Sequence, residues 1–155
     1  MNTAIEISKR EAPDKTVVCG DLFGWSHPQE VATLVQQLDG VLYLVKGNND
    51  FATAQSYLHD SMEDNAVMYH FDRKLFFTHG DRYDALRVPP ILNEGDALIY
   101  GHSHVGRLRI VNGLFALNVG SLARPRDGAR SYITIDEQGI TLKLADGEIL
   151  QQLNW

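Results

Sequence analysis

Residues 97–104, ALIYGHSH, form a short apolar run that ends in a glycine and two histidines. Three other runs end in a similar way: VVCGD at 17–21, VLYLVKGNND at 41–50 and LFFTHGD at 75–81. Short β-rich runs without polar alternation are typical of strands buried on both faces. In open α/β sheets, functional groups gather beyond the carboxyl ends of such strands. The sequence therefore predicts an α/β fold with its functional site at one edge of a buried sheet.

The segment between the first two runs predicts the crossover that places them side by side. Apolar residues recur at helical spacing within 29–39, and Ser26 followed by Gln29 has the form of a capping box. A strand, helix, strand unit joins its two parallel strands by a right-handed crossover. We therefore expect Asp21 and Asn48, which follow the two strands, to lie at the same edge.

From about residue 66 the sequence predicts mostly antiparallel pairing. Asp72-Arg73 and Asn112-Gly113 each lie between two β-rich runs, and Asn-Gly is a strong hairpin signal. Three further short strands are predicted at 132–135, 140–144 and 148–153. The antiparallel pattern is therefore predicted to continue to the end of the chain.

The composition fits one domain spanning residues 1–155, since 44% of the residues are hydrophobic and 22% are charged. No apolar window reaches the roughly 18 residues of a membrane span, and residues 1–10 lack a signal-peptide core, so we expect a cytoplasmic protein without membrane contact. A net charge of −6 argues against a nucleic-acid-binding surface. The single cysteine, Cys19, is expected to be a packed hydrophobe.

A small positive cluster consists of Arg124, Arg126 and Arg130. The surrounding composition is that of a loop, which favours solvated arginines. The alternative is that the guanidinium groups contact an anionic substrate such as a phosphate ester.

The residues at the strand ends could bind a metal. They offer one carboxylate, one amide oxygen and three imidazoles: Asp21, Asn48, His79, His102 and His104. Mixed oxygen and nitrogen donors suit Mn²⁺, Fe²⁺, Zn²⁺, Ni²⁺ or Co²⁺ better than Mg²⁺ or Ca²⁺. A lone histidine in a core is more often structural, but unrelated core histidines have no reason to recur at strand ends. The pattern therefore predicts a transition-metal site, with Mn²⁺ as the first choice.

The same motifs carry a family resemblance. Gly20-Asp21, Gly47-Asn48-Asn49-Asp50, Thr78-His79-Gly80 and Gly101-His102-Ser103-His104 occur in that order. The series resembles the signature of the calcineurin-like metallophosphoesterase superfamily, most closely its small bacterial and archaeal phosphodiesterases, over about residues 16–155. The resemblance implies a two-layer β sandwich of mixed sheets flanked by helices. It also implies a two-metal centre that hydrolyses small phosphodiesters through a metal-bound hydroxide.

Carried over to this chain, the resemblance assigns Asp21 as the bridge between two metals. Asn48, His79 and His102 would complete one site, and His104 would belong to the other. The family also opens with an Asp-x-His motif at the end of its first strand, and this sequence contains no Asp-x-His. We therefore expect one complete metal site and a second site that retains only two protein ligands.

The missing motif has a structural counterpart. A unit of strand, crossover helix and second strand takes roughly 30 residues. Fewer residues than this precede Val17, which lies in the first predicted strand of this chain. We expect the N-terminal βα element to be missing, with Ile5-Glu6-Ile7 pairing as a short substitute strand. Unpaired strand edges favour self-association, so a homo-oligomer is more expected here than in a relative with an intact sheet, and the sequence leaves the oligomeric state open.

Asn49 stands where many relatives have a histidine thought to protonate the leaving group. An amide can donate a hydrogen bond but cannot transfer a proton at neutral pH, so Asn49 is a candidate catalytic residue of limited power. The leading hypothesis is a divalent-metal-dependent phosphodiesterase. The alternatives are an inactive relative that serves as a protein-binding scaffold, like the retromer subunit with this fold, and a fragment of a longer enzyme.

Overall fold

The structure is a computed structural model that describes residues 1–24 and 27–155. The helices are α1 (Asn2–Glu11), α2 (Pro28–Val35) and α3 (Ala52–Gln55). The first five strands are β1 (Lys15–Cys19), β2 (Val41–Val45), β3 (Met62–Glu63), β4 (Asn65–His70) and β5 (Arg73–Thr78). The remaining strands are β6 (Ala97–Tyr100), β7 (Gly106–Val111), β8 (Leu114–Val119), β9 (Ser131–Ile135), β10 (Gly139–Leu144) and β11 (Ile149–Asn154). None of the helices in these ranges has the length and hydropathy needed to cross a bilayer.

The strands form two layers, as predicted. A mixed five-stranded sheet has the order β4-β5-β6-β8-β7. The other layer contains a parallel sheet, β1-β2-β3, and an antiparallel sheet, β11-β10-β9. The main core cluster includes Val45 of β2, Phe77 of β5 and Ile140 of β10, so it joins all three sheets.

The central strands of the five-stranded sheet are buried on both faces. Leu75 and Phe77 of β5 join the main core, whereas Phe76 packs with Leu92 and Leu98 on the opposite face. Both faces of these strands therefore need apolar residues. This explains why the sequence shows continuous apolar runs instead of alternation.

The first crossover is confirmed. Strands β1 and β2 are parallel, and Cys19 pairs with Val45 at their carboxyl ends. The predicted helix over 29–39 is observed as Pro28–Val35 and ends about one turn earlier than expected. Its N-cap is His27, and the predicted capping residue Ser26 lies outside the described residues.

Helix α1 corrects the prediction for the N-terminus. Residues 2–11 are helical, so Ile5-Glu6-Ile7 does not pair as a substitute strand, and the helical half of the element expected to be missing is present. Ile5, Ile7 and Ser8 are buried, and Met1 and Ala4 are partly buried. All of these except Ile7 follow the helical spacing i, i+3, i+4 and i+7. Two isoleucines two residues apart fit a strand or a helix, and only the longer period distinguishes the two.

The second half follows its turn signals with one correction: the turn predicted at Asp72-Arg73 lies one residue earlier, at Phe71-Asp72, because His70 pairs with Arg73. Asn112 and Gly113 have φ values of +51° and +76°, and they connect Val111 of β7 to its partner Leu114 of β8. Positive φ at both central residues is what a type I′ turn requires, and Asn-Gly adopts it most easily. The predicted hairpin is therefore confirmed at this position.

A polar network ties the end of α1 to the antiparallel sheet. The Lys143 ammonium donates to one Glu11 carboxylate oxygen at 2.7 Å, and the Tyr132 hydroxyl donates to the other at 2.6 Å. Arg10 donates to the Tyr132 hydroxyl and to the Ala145 carbonyl oxygen, each at 2.9 Å. Burial opposes ionisation of Glu11, but the hydrogen bonds from Lys143 and Tyr132 outweigh it and lower the pKa of this carboxyl group.

This network predicts a pH dependence of stability. A carboxylate whose pKa is lowered by folding stabilises the folded state above its unfolded pKa of about 4.3, and this contribution is lost as the pH falls through the lower folded pKa. We expect Glu11→Gln to lower the free energy of unfolding at neutral pH, with the difference from the wild type shrinking below about pH 4. Urea unfolding over this pH range measures it. Glu6→Gln on the exposed side of α1 is the matched control, and an equal pH-dependent loss in both variants would contradict the prediction.

Candidate metal centre

The carboxyl ends of four strands bring four of the five predicted ligands to one edge of the molecule. Asp21 follows β1, Asn48 follows β2, His79 directly follows β5 and His102 follows β6. Strands β5 and β6 are neighbours in one layer, and β1 and β2 are neighbours in the other. The site therefore lies where the carboxyl ends of strands from both layers meet.

His79 is the centre of this group, and only 2% of its surface is exposed. Its Nε2 atom lies 3.0 Å from the Asn48 amide oxygen and 3.5 Å from a carboxylate oxygen of Asp21. The same Nε2 lies 3.0 Å from Nδ1 of His102, whose ring is steeply inclined to that of His79. Asp21, Asn48 and His102 therefore all present donor atoms to one imidazole nitrogen.

The tautomer of His79 follows from its second nitrogen. Nδ1 lies 2.9 Å from the carbonyl oxygen of Cys19, which can only accept a hydrogen bond. With a cation bound at Nε2, Nδ1 would carry the proton and donate to this carbonyl oxygen. The oxygens of Asn48 and Asp21, which also only accept hydrogen bonds, would then face the cation. A hydrogen bond from one ring nitrogen to a backbone carbonyl is the usual way in which a metal-ligating histidine is oriented.

A divalent cation fits the chemistry of this donor set. Two ligands that bind one cation at right angles, each about 2.1 Å away, are about 3.0 Å apart. The separations around His79 Nε2, 3.0, 3.0 and 3.5 Å, are close to that value. Across residues 1–24 and 27–155, His, Cys, Asp and Glu side chains alone form no group of three that could hold a metal. The donor set around His79 also includes the amide oxygen of Asn48, which lies 3.0 Å from His79 Nε2.

Asn49 holds the carboxylate of Asp21. Its backbone N–H donates to one carboxylate oxygen at 3.0 Å, and its side-chain amide donates to the other at 2.8 Å. These bonds fix the orientation of Asp21 toward His79. The structure gives Asn49 this positioning contact, and its catalytic role stays a prediction.

His104 lies apart from the other candidate ligands. Its Nδ1 lies 2.8 Å from the Arg124 carbonyl oxygen, and within the described residues we find no hydrogen bond or ion pair from His104 to the His79 group. In the neutral ring Nδ1–H donates to this carbonyl oxygen, and Nε2 has the lone pair. The arginine loop thus contacts His104 through its backbone, while the side chains of Arg124, Arg126 and Arg130 are exposed. The assignment of His104 as a ligand stays a prediction.

Several candidate ligands have an unusual backbone conformation. Asp21, His102 and His104 have φ values of +55°, +61° and +60°. The left-handed region is sparsely occupied by residues other than glycine, and strain of this kind costs about 1–3 kcal/mol and clusters at functional sites. Three of the five predicted ligands therefore adopt a conformation that the fold must enforce.

Two buried polar residues that sequence reasoning did not assign to the site support its loops. Asn118 of β8 donates to the Gly101 carbonyl oxygen and to the Ser103 hydroxyl, each at 2.9 Å, which fixes the turn that carries His102. Asp50, only 2% exposed, accepts hydrogen bonds from the backbone N–H groups of Phe23 and Gly47. It thereby ties the loop after β1 to the loop after β2. The sequence signal that could have identified Asn118 is its position as a polar residue within the apolar run LFALNV at 114–119.

Cys19 packs as a small hydrophobe, as the sequence predicts. It packs against the main core, and burial raises the pKa of its thiol to about 12. The thiolate that would act as a nucleophile or a ligand is therefore not formed at neutral pH.

Comparison with known proteins gives a consistent picture. Residues 1–139 match the calcineurin-like phosphoesterase superfamily domain. Over 129 residues the chain is 29% identical to the phosphodiesterase YfcE of Escherichia coli K12. The aligned region covers 81% of this chain and 70% of YfcE. Over 114 residues it is 27% identical to the probable metallophosphoesterase YsnB of Bacillus subtilis, and this aligned region covers 66% of the chain and 62% of YsnB.

Solved structures show the same fold. The E. coli phosphoesterase YfcE superposes with a TM-score of 0.90 at 24% identity, over 99% of this chain and 90% of that one. Vps29 of Entamoeba histolytica, solved in complex with Zn²⁺, gives a TM-score of 0.63 at 19% identity, over 97% and 87% of the two chains. The predicted fold class is confirmed by these similarities.

Proposed function

Since the chain belongs to the calcineurin-like phosphoesterase superfamily, we propose that it is a divalent-metal-dependent phosphodiesterase that hydrolyses small phosphodiesters. The observation that carries the proposal is the convergence on His79 Nε2 of donor atoms from Asp21, Asn48 and His102. The similarity to the phosphodiesterase YfcE supports the choice of a diester.

The residues that would hold the cation are Asp21, Asn48, His79 and His102, and Mn²⁺ suits this mixture of oxygen and nitrogen donors. When bound, such a cation lowers the pKa of a water and neutralises charge on the phosphate oxygens. His104, with its free Nε2, would serve a second cation.

The protein's own contribution is orientation. Cys19 fixes the His79 ring through its carbonyl oxygen, and Asn49 fixes the Asp21 carboxylate through two hydrogen bonds. Groups held in place before the reaction need no reorganisation during it, which is a major source of rate enhancement. Because an amide cannot transfer a proton, Asn49 gives no acid assistance to the leaving group. Diesters with good leaving groups should therefore react fastest.

Metal removal tests the proposal. We expect the protein to hydrolyse bis(p-nitrophenyl) phosphate faster than p-nitrophenyl phosphate, to lose this activity in a chelator and to regain it with added Mn²⁺. Release of p-nitrophenol measures the rate. Unchanged activity after complete chelation would overturn the metal dependence.

A second comparison separates the remaining hypotheses. The same assay is applied to a variant with an Asp-x-His strand fused ahead of Met1. Activity in the chain as it stands supports the proposal. Activity only in the fused variant would assign the chain as part of a longer enzyme, and inactivity of both would favour the protein-binding scaffold.

A further inference from the structure

A cleft of about 470 Å³ opens beside the candidate metal centre. Gly47 and Asn48 line it, so its wall includes one of the groups that converge on His79. A phosphodiester whose phosphorus lies near Asn48 has two ester arms, and this adjoining space is large enough for one of them. The position of the cleft therefore links it to the substrate instead of to a separate ligand.

An aromatic side chain lies at the rim of the cleft. Phe51 precedes α3, and 58% of its surface is exposed although it is large and apolar. Tyr83 lies in the cleft wall, where its ring packs edge-on against Phe76 of the core and is thereby held in place. A flat ring in the cleft would cover Phe51 and remove its apolar surface from water.

The lining of the cleft carries more acidic than basic side chains. Lys46 and Arg82 line it together with Asp50, Asp64 and Asp81. Arg82 already pairs with Asp64 at 3.3 Å, in an exposed ion pair. The cleft therefore has no excess positive charge to attract a second anionic group, which favours a neutral arm.

We propose that this cleft binds a neutral ester arm with a flat aromatic ring, and that Phe51 is the specificity-determining residue that stacks on it. The inference rests on the proposed function, because the phosphate group must be held at the His79 group for the arm to reach the cleft. An aryl group and a nucleoside both supply such a ring.

Binding of non-hydrolysable probes tests the inference without turnover. Phenylphosphonate and methylphosphonate carry the same anionic group and differ in the ring. By calorimetry on the Mn²⁺-loaded protein, we expect phenylphosphonate to bind about tenfold tighter, the scale of one aromatic stacking contact. Phe51→Ala should remove most of this ratio and leave methylphosphonate binding unchanged, whereas Phe51→Tyr should retain the ratio.

Phe71→Ala is the matched control, because Phe71 is also an exposed phenylalanine, 68% exposed, in the turn between β4 and β5. It should leave the ratio unchanged. The third probe is the phosphonate analogue of thymidine 5′-phosphate, in which CH₂ replaces the ester oxygen. A Phe51-dependent gain with this probe alone assigns a nucleoside arm, and a gain with phenylphosphonate assigns an aryl arm.

The outcomes separate the two proposals. Equal affinity of the wild type for all three probes would overturn the role of the cleft and leave the metal centre intact. Absence of Mn²⁺-dependent binding for every probe would overturn the proposed metal centre and, with it, the assignment of the cleft.

Discussion

Replacement of His79 by alanine is expected to remove most of the bound metal and the phosphodiesterase activity with it. His79 Nε2 faces donor atoms of Asp21, Asn48 and His102. Its loss therefore removes the proposed ligand that contacts all three others. Loss of a residue that only orients a metal ligand typically costs 10- to 100-fold in metal affinity. We therefore expect loss of the ligand itself to cost at least about 100-fold. Metal content after dialysis and titration calorimetry with Mn²⁺ measure the effect.

The control for this experiment is another histidine of the same chain. His59 is exposed in the segment after α3, and His59→Ala should keep the metal and the activity. His102→Ala should behave like His79→Ala, because its Nδ1 is part of the converging group. Thermal unfolding of each variant checks that the fold is intact. Equal metal loss in all three variants, or full metal binding by a folded His79→Ala variant, would contradict the assignment.

Replacement of Gly20 by alanine is expected to damage the site without touching any ligand. Gly20 has a φ of +86°, a conformation that costs other residues about 1–2 kcal/mol. A Cβ atom at this position would lie 2.8 Å from Cγ of the His79 ring and 2.9 Å from the Gly47 Cα. Because His79 is buried and held by the Cys19 carbonyl, the ring can move only by giving up its alignment. We expect at least a tenfold loss of Mn²⁺ affinity by calorimetry, together with a lower free energy of unfolding in urea.

A matched glycine separates backbone strain from the clash. Gly128 has a φ of +79°, and a Cβ atom there would meet nothing within 4 Å. Gly128→Ala should therefore lower the free energy of unfolding by the backbone cost alone, about 1–2 kcal/mol, with unchanged Mn²⁺ affinity. If both variants lose the same stability and both retain the metal, close packing of Gly20 against His79 does not matter for the site.

The strand ends could be identified from the sequence because the signal is local. A continuous apolar run followed by glycine and a ligating side chain, as in Leu75–Gly80, requires only a strand buried on both faces and a turn. The Asn112-Gly113 hairpin was equally readable, since its two positive φ values are properties of those two residues.

The N-terminal helix and the supporting residues were less readable. Ile5-Glu6-Ile7 is too short a pattern to separate strand from helix, and the packing of α1 on Val35 and Leu44 decided between them. Asp50 is an ordinary acidic residue in the sequence. Its burial and its hydrogen bonds to Phe23 and Gly47 exist only when two distant loops meet.

The sequence by itself determined that Asp21, Asn48, His79 and His102 stand at the ends of buried strands, because strand burial and turn chemistry depend on neighbouring residues. Only the tertiary structure decided that their donor atoms converge on one imidazole nitrogen, that Asn49 holds the Asp21 carboxylate and that His104 turns to the Arg124 carbonyl oxygen. These relations join segments far apart in the chain. Their geometry is set by the packing of two β layers, to which every strand contributes and which no local pattern encodes.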